Sequence, residues 1–346
     1  MAFECSLPIE EYDAITLGHG GGGKLSQMLV EQLFVPALSN DILAELHDGA
    51  MFPCYGGHVA FSTDSFVVRP RFFPGGNIGS LSVHGTLNDL AMCGARPRHL
   101  SLALILEEGL LLTELRDIVD SIREACEESE VTVITGDTKV VERGSGDGIY
   151  INTTGIGSLM PETQLSAVRV RPGDKIVLNG SIAHHGMAIM SVREGLEFES
   201  EITSDSTALW PIVEGVLSAT QRRMHVLRDA TRGGIASAIN EIAQAANVGV
   251  VLDESAIPVD EPVRAACEIL GLDPLYVANE GRFVGFVSPD LADEAVDLMR
   301  AHPLGRDACI IGETVADHPG VVRMNSGFGG SRVVDMISGE QLPRIC

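Results

Sequence analysis

The chain contains two successive sets of strand-like and helix-like segments, and this order constrains its fold more than any other feature. In the first set, apolar runs such as "HVAFSTDSFVV", "HLSLALIL", "VTVITGDT" and "GIYINTTGIGSLM" are interleaved with segments whose apolar residues recur at helical spacing. A second set of strands and helices begins at "KIVLNG". Mixed strands and amphipathic helices predict packed layers, so the expected fold class is α+β (mixed α/β).

A polar segment, "MPETQLSAVRVRPGDK", separates the two sets and contains a Pro-Gly-Asp turn. The 346 residues are enough for two domains with separate cores. We therefore predict an N-terminal domain at 41–165 and a C-terminal domain at 166–336, preceded by a glycine-rich loop and arm at 1–40. The last segment, 337–346, has no periodicity and is predicted to be a mobile tail.

Charge and composition exclude several classes of function. A net charge of −24 leaves little basic surface for a nucleic acid. No apolar run is long enough for a membrane span, and the first residues do not resemble a signal peptide. The seven cysteines form no Cys-x-x-Cys pair, which favours a reducing compartment. We therefore expect a cytoplasmic protein without a nucleic-acid or membrane partner.

The stretch "ITLGHGGGGKLSQMLV" nearly matches a phosphate-binding P-loop. Gly18, Gly23 and Lys24 have the required spacing, but Leu25 stands where a P-loop needs a hydroxyl group for magnesium. A P-loop and a flexible linker remain alternatives. The favoured interpretation is a loop that covers a nucleotide in another way, with backbone amides facing phosphate oxygens. Its candidate ligands are Gly20, Gly21, Gly22, Gly23 and Lys24.

Three aspartates are candidates for a magnesium–nucleotide site. Asp64 and Asp137 follow apolar strands, and Asp89 lies on a helix whose polar side also carries Asn88. Oxygen ligands are those that Mg²⁺ prefers, and Asp48 is a possible fourth. A single aspartate is more often a turn or cap residue, so the prediction depends on the set together with the glycine loop.

The second half contributes two motifs. In "RDATRGG", which begins at Arg228, Gly233 and Gly234 precede a helix whose first amides could face phosphate, although an ordinary helix start is equally compatible. Glu280 in "ANEGRF" is either a general base or a turn residue. In the first half, Lys139 could pair with phosphate, act in proton transfer, or be a solvated surface lysine.

Taken in order, "STDSFVV", "GTLNDLAMCGA", "ITGDTKVV", "RDATRGG" and "ANEGRF" behind a glycine loop resemble the ATP-dependent superfamily of aminoimidazole ribonucleotide synthetase. Within it, "PRFFPGGNIGSLSVHGTLNDLAMCGARP" and the ending "PRIC" are similar to the HypE family of hydrogenase maturation factors. The resemblance covers residues from about 15 to 346. It implies a two-domain aminoimidazole ribonucleotide synthetase-like fold and a homodimer that pairs its N-terminal sheets. ATP and Mg²⁺ would lie between loops of both domains.

The resemblance also implies an activity. A HypF carbamoyltransferase would load a carbamoyl group onto the terminal Cys346, and ATP-dependent dehydration would convert it to a thiocyanate. The cyanide would pass to iron on a HypC–HypD complex and become a ligand of a [NiFe]-hydrogenase.

Site residues carry over by position. Lys139 and Glu280 match polar positions beside the reacting tail, one holding oxygen or phosphate and the other acting as base, in roles that could be exchanged. Ala230 departs from the proline of many relatives. The remaining nucleotide and metal positions are Asp48, Asp64, Asn88, Asp89, Asp137, Thr138, Asp229, Gly233 and Gly234.

Two alternatives remain. One is a small-molecule ATP-dependent kinase or synthetase of the same superfamily, similar to selenophosphate synthetase. Cys5 matches its reactive position poorly because it lies well before the glycine loop. The other is a scaffold that binds nucleotide and recruits maturation partners without catalysis.

Overall fold

The computed structural model describes residues 15–38, 40–54, 56–196, 201–337, 342 and 345–346. Cys5, on which the selenophosphate synthetase-like alternative depends, lies outside these residues, as does most of the predicted tail. Within them the chain forms two main sheets in succession, which confirms the mixed α/β class.

The first sheet contains five strands in the order β1-β2-β7-β5-β6. Only β5 and β6 pair in parallel, and the helix α4 joins them as a crossover connection. A separate two-stranded ribbon, β3–β4, precedes the long helix α3. The strands are β1 Ala50–Cys54, β2 Gly57–Phe66, β3 Phe72–Phe73, β4 Gly76–Asn77, β5 Ala95–Glu107, β6 Thr132–Val141 and β7 Ile149–Leu159.

The helices of this half follow the predicted segments. The helix after the glycine loop is continuous but changes character, since a π-helical stretch at Val30–Phe34 separates its two α-helical parts. In the described part of the chain, no helix is long and apolar enough to span a membrane. The helices are α1 Lys24–Leu29, α2 Val35–Leu38, α3 Ile78–Met92 and α4 Leu112–Glu128.

Helix α3 was predicted to be amphipathic, with one apolar face and one accessible polar face, and the structure differs. The helix is buried on almost every side, because the first sheet packs against it and the second domain covers it. Its start is fixed by Asn77, whose side chain accepts hydrogen bonds from the Gly79 and Ser80 N–H groups. Gly85 on this helix touches the ring of Phe66, where an added Cβ would lie 2.9 Å from ring carbons.

The second sheet has seven strands in the order β14-β13-β10-β12-β8-β11-β9. Of these strands, β8 and β12 were predicted and β11 lies within a predicted strand-like run, whereas β9 and the short polar strands β13 and β14 were not predicted. The strands are β8 Lys175–Leu178, β9 Met224–Asp229, β10 Gly249–Asp253, β11 Phe283–Val287, β12 Cys309–Val315, β13 Val322–Asn325 and β14 Ser331–Val333. The helices are α5 His184–Glu194, α6 Trp210–Thr220, α7 Gly234–Ala246, α8 Glu261–Leu270 and α9 Ala292–Ala301.

Candidate functional site

Four acidic side chains from four different elements come together where the two halves meet. Asp64 lies on β2, Asp89 on α3, Asp229 at the end of β9, and Glu280 just before β11. Asp89 is close enough to Asp229 and Asp64 for their charges to raise its pKa, and Asp229 and Asp64 do the same to Glu280. We call these four residues the acidic cluster.

Burial raises the pKa of every carboxyl group in the acidic cluster, and repulsion from other carboxylates adds to this shift for Asp89, Asp229 and Glu280. The pKa of Asp89 lies well above its ordinary value because the group is buried and faces other carboxylates, although a hydrogen bond from Ser62 Oγ (2.5 Å) opposes the shift. Burial likewise raises the pKa of Asp64, against the favourable charge of Arg232. Such an excess of buried acid is suited to a bound cation.

Asp48 is neutralised within the protein. It forms a buried ion pair with Arg228, whose other guanidinium nitrogen lies 3.0 Å from Glu241. The charges of Asp48 and Glu241 raise the pKa of Arg228 although burial alone would lower it. One oxygen of Asp48, Oδ2, is buried without a hydrogen-bond partner. Asp48 therefore anchors β9 to the first domain and retains one free buried oxygen.

The predicted metal set of Asp48, Asp64, Asp89 and Asp137 is not assembled within one chain. Among the residues that the structure describes, no three histidine, cysteine or acidic side chains are placed to hold a metal ion. Asp137 lies on the edge strand β6, three strand spacings from β2, a distance of about 14 Å. The sheet order therefore separates Asp137 from the acidic cluster.

Lys139 accompanies Asp137 on that edge strand. Its Nζ donates to both Asp137 oxygens, at 2.6 and 2.5 Å, and holds the pKa of the carboxyl below its ordinary value. The side chains are 63% (Asp137) and 68% (Lys139) exposed, and Thr138 between them is also exposed. The prediction that Lys139 lies beside the reacting tail is therefore not met within one chain.

The glycine loop packs against the "RDATRGG" turn. Arg232 Nη1 donates to the Gly20 carbonyl oxygen (2.7 Å), and Ser237 Oγ donates to the Gly22 carbonyl oxygen (2.9 Å). Gly22 has a φ of +69°, and a Cβ there would collide with the Arg232 backbone. Glycine is therefore required for this close approach between the two halves.

Lys24 is directed toward the C-terminal domain. Its N–H donates to the Ile337 carbonyl oxygen (2.9 Å), and its Nζ pairs with Asp335. Gly23 next to it is also crowded, because a Cβ there would lie 2.3 Å from the same Ile337 oxygen. In this conformation the loop backbone, rather than the Lys24 ammonium, is the part nearest "RDATRGG".

The "RDATRGG" glycines start a helix, as predicted. Gly233 and Gly234 have positive φ values of 78° and 59°, and α7 begins at Gly234. A Cβ on Gly233 would lie 2.1 Å from Ser237 Oγ. The turn brings Asp229, Arg232 and the first amides of α7 to one side of the cleft, where an anion can be bound.

The end of the chain lies in this cleft. Ile345 is 1% exposed, and Cys346 is partly exposed. Cys346 is the group that most raises the pKa of Arg232, ahead of Asp64 and Glu280. Conversely, burial raises the pKa of the Cys346 thiol, with Arg232 opposing the shift. The terminal thiol therefore lies near one cation, Arg232, and three acids, Glu280, Asp64 and Asp229. The mobility of the tail stays a prediction.

Glu280 combines a fixed backbone with a free carboxyl oxygen. Its N–H donates to Asp205 Oδ1 (3.1 Å), and its carbonyl oxygen accepts from Asn88 Nδ2 (3.1 Å). The residue is 3% exposed, and its Oε1 is buried without a hydrogen-bond partner. Burial, then the charges of the neighbouring carboxylates, raise its pKa well above the ordinary value. This environment is typical of a general base.

Asn88 braces the two domains. Besides its bond to Glu280, its Nδ2 donates to the Thr207 carbonyl oxygen (2.9 Å), and its Oδ1 accepts from the Leu209 N–H (2.8 Å). Because these bonds occupy its amide group, the structure gives it a bracing role in place of the predicted contact with nucleotide.

Sequence reasoning missed Arg232 and Asp205. Arg232 carried a signal, since it is a cation inside "RDATRGG", a motif already selected for anion binding. Asp205 carried no such signal in the sequence. Its hydrogen-bond donors are the N–H groups of Glu280 and Gly281, which lie 75 and 76 residues away in the chain.

Comparisons with known proteins agree with this architecture. Residues 46–159 match the N-terminal domain of AIR synthase related protein, and residues 171–325 match its C-terminal domain. Carbamoyl dehydratase HypE of Azotobacter vinelandii is 53% identical over 333 residues, covering 96% of this chain and 97% of the relative.

Solved structures give the same result. The crystal structure of a HypE–HypF complex matches with a TM-score of 0.85 and 43% identity, over 89% of this chain and 99% of the other. HypE in complex with ATP matches with a TM-score of 0.81 and 45% identity, over 96% of this chain and 100% of the other. The chain belongs to the AIR synthase related family and, within it, to the HypE carbamoyl dehydratases.

Proposed function

We propose that this protein is an ATP-dependent carbamoyl dehydratase whose substrate is a carbamoyl group on its own Cys346. It converts the S-carbamoyl group to a thiocyanate that supplies cyanide to the iron centre of a [NiFe]-hydrogenase. The observation that carries this proposal is the position of the terminal thiol near Arg232, Glu280 and Asp64, whose charges act on it.

The reaction removes one oxygen and two protons from the carbamoyl group. The carbamoyl oxygen takes the γ-phosphoryl group of ATP and leaves as phosphate, while the nitrogen loses both protons and the C≡N bond forms; the S–C bond stays intact. Glu280 accepts one proton from nitrogen, because its raised pKa makes it a stronger base than an ordinary carboxylate, and the departing phosphate carries the other. Arg232 stabilises negative charge on the departing oxygen.

The nucleotide binds beside the glycine loop and the start of α7, which contact each other in this conformation, and the similarity to HypE in complex with ATP supports a nucleotide site. Bound Mg²⁺ supplies positive charge between the triphosphate and the carboxylates. Mg²⁺ is usually bound through one or two carboxylates together with substrate phosphates, so a cage of three protein ligands is not required. These carboxylates would come from Asp64, Asp89 and Asp229, and the unpartnered Asp48 Oδ2 offers a further oxygen. The raised pKa values of the three aspartates fit this donor set.

Burial of the docked thiol disfavours the thiolate that loading requires. The raised pKa of Cys346 keeps the thiol protonated in the cleft, whereas the thiolate is the nucleophile. Carbamoylation therefore takes place after the tail leaves, on a HypF carbamoyltransferase, and the similar HypE–HypF complex supports that partner. The thiocyanate then passes its cyanide to a HypC–HypD complex in the cytoplasm.

The active form is a homodimer paired through the first sheet. Strand β6 is exposed from Thr132 to Val140, and its apolar residues include Ile134, which is 61% exposed. An unpaired edge strand with exposed apolar side chains favours association with another surface, and the same sheet of a second copy would bury these side chains. Pairing brings Asp137, Thr138 and Lys139 of one copy toward the nucleotide of the other. These residues can then act at the nucleotide site of the partner copy although they lie far from the acidic cluster of their own chain.

The test is intact-protein and peptide mass spectrometry. Incubation with HypF, carbamoyl phosphate and Mg-ATP should add one carbamoyl group to the Cys346 peptide and then remove one water. Glu280→Gln should stop at the carbamoyl stage, with dehydration about 10²- to 10⁴-fold slower. A scaffold would show no loss of water, and a small-molecule kinase would keep its activity without Cys346. No modification of Cys346 by active HypF would refute the proposal.

A further inference from the structure

His185, at the start of α5, contacts the chain end but belongs to neither the acidic cluster nor the predicted site. It is fully buried, and its Nε2 lies 2.8 Å from the carbonyl oxygen of Ile345. Its Nδ1 lies 2.8 Å from Ser204 Oγ. The imidazole therefore bridges the segment after residue 200 and the penultimate residue of the chain.

The hydrogen-bond chain fixes which ring nitrogen carries the proton. Ser204 Oγ accepts from the Ser206 N–H (3.1 Å), so its own hydrogen is free to donate to Nδ1. Burial lowers the pKa of His185 and favours the neutral ring. With Nδ1 acting as acceptor, Nε2 carries the hydrogen and donates it to the Ile345 carbonyl oxygen. The other tautomer would place two acceptors against each other.

The imidazole itself is held rigidly. Phe73 contacts it edge-on, with ring centroids 5.4 Å apart and planes at 90°. The helix that carries it begins after Ala183, whose left-handed φ of +74° is accompanied by a hydrogen bond from its N–H to Asn279 Oδ1 (2.7 Å). A ring fixed in this way holds its donor in one direction before the tail arrives.

The tail is bound through main-chain atoms as well as through one side chain. The Val67 N–H donates to the main-chain oxygen of Cys346 (3.2 Å), and the Ile345 side chain lies in the apolar cluster that includes Ile189 and Ala278. We propose that His185 is a positioning residue that docks the tail by donating to the Ile345 carbonyl, with Ser204 selecting the competent tautomer. The Ile345 side chain supplies affinity, and the His185 bond sets the position from which Cys346 meets Glu280.

This positioning role serves the proposed dehydration, but it can be tested without turnover. The protein alone, without nucleotide or HypF, is treated with iodoacetamide, and labelling of the Cys346 peptide is followed by mass spectrometry. Loss of the docking bond in His185→Ala should speed labelling about five- to tenfold. His185→Gln, whose amide can donate from a similar position, should stay within about twofold of the wild type.

A matched control is His225→Gln, which alters another buried histidine, paired with Asp174 in the second sheet, and should leave Cys346 labelling unchanged. Ser204→Ala should raise the labelling rate and shift the ¹⁵N side-chain signals of His185 toward a mixture of tautomers. Equal labelling of His185→Ala and wild type would overturn the proposal. If His185→Ala does not fold, fast labelling of His185→Gln or an unchanged tautomer in Ser204→Ala would overturn it. Because no dehydration is measured, failure here leaves the proposed enzyme activity standing.

Discussion

The carboxylate of Asp205 accepts a hydrogen bond from the main-chain N–H of Glu280 at 3.1 Å. Its second oxygen accepts from the Gly281 N–H (3.2 Å) and lies 3.7 Å from Arg282 Nε. Asp205 is adjacent to Ser204, the hydroxyl partner of His185. One short segment therefore fixes both the proposed base and the residue that docks the tail.

Replacing Asp205 by Asn should impair dehydration and spare loading by HypF. The amide keeps the shape but is neutral and supplies one acceptor oxygen in place of two. One of the two backbone N–H groups therefore loses its acceptor, and the other keeps only a hydrogen bond to an uncharged group. We expect dehydration about ten- to hundredfold slower. Because the Asp205 charge raises the pKa of Glu280, the limb of the pH–rate profile due to Glu280 should move to lower pH. Asp253→Asn, at an exposed aspartate that bonds Ser255, is the control; equal profiles would contradict the prediction.

Asp89→Asn should stabilise the nucleotide-free protein and abolish turnover. Asp89 has a pKa raised in the fold, so the folded protein binds more protons than the unfolded chain above the ordinary carboxyl pKa of about 4. The stability that the folded protein gains from protonated Asp89 is complete below that pH and is lost as the pH rises through the raised pKa of Asp89. At pH 7–8 we expect the melting temperature of the variant to exceed that of the wild type by roughly 2–4 °C. The difference in melting temperature between variant and wild type should disappear near pH 4, which calorimetry would measure. If the variant melts below the wild type at pH 8, repulsion between Asp89 and its neighbouring carboxylates does not destabilise the protein.

Asn88→Ala should destabilise the junction between the two domains. The change leaves the buried Leu209 N–H and the carbonyl oxygens of Thr207 and Glu280 without this partner. We expect a loss of about 2–3 kcal/mol in the free energy of unfolding, measured by urea titration. Asn40→Ala, which removes an exposed amide with only local bonds, should cost far less. Similar losses for both variants would show that Asn88 is not a brace.

Mixed dimers should recover activity that neither parent has. Asp137→Asn and Asp89→Asn are each expected to be inactive, since one removes an edge-strand carboxylate and the other a member of the acidic cluster. In a mixed dimer, one site has Asp89 from its own chain and Asp137 from the other. Thiocyanate formation at up to about half the wild-type rate per mixed dimer is expected if Asp137 acts across the interface. A mixture as inactive as its parents would show that both residues act within one chain.

The sequence by itself determined most of the secondary structure and selected several residues that the structure places at the cleft. Strand and helix periodicity arises from which side of an element meets water, so most of the longer elements were predicted. The strands β1 and β9 and the short polar strands β13 and β14 were missed. The "RDATRGG" glycines and the terminal Cys346 were found because their roles depend on local backbone freedom and on chemistry that the residue type itself carries.

Only the tertiary structure decided which of these groups meet. The strand order places β5 and β7 between β2 and β6 and so removes Asp137 from Asp64, although both follow similar apolar runs. Because the second domain packs on α3, the Asn88 side chain forms hydrogen bonds that join the two domains. Contacts between segments distant in the chain place Asp205 beside Glu280 and His185 beside Ile345. Periodicity is a local property of the chain, whereas sheet order and domain contacts follow from how distant surfaces bury one another.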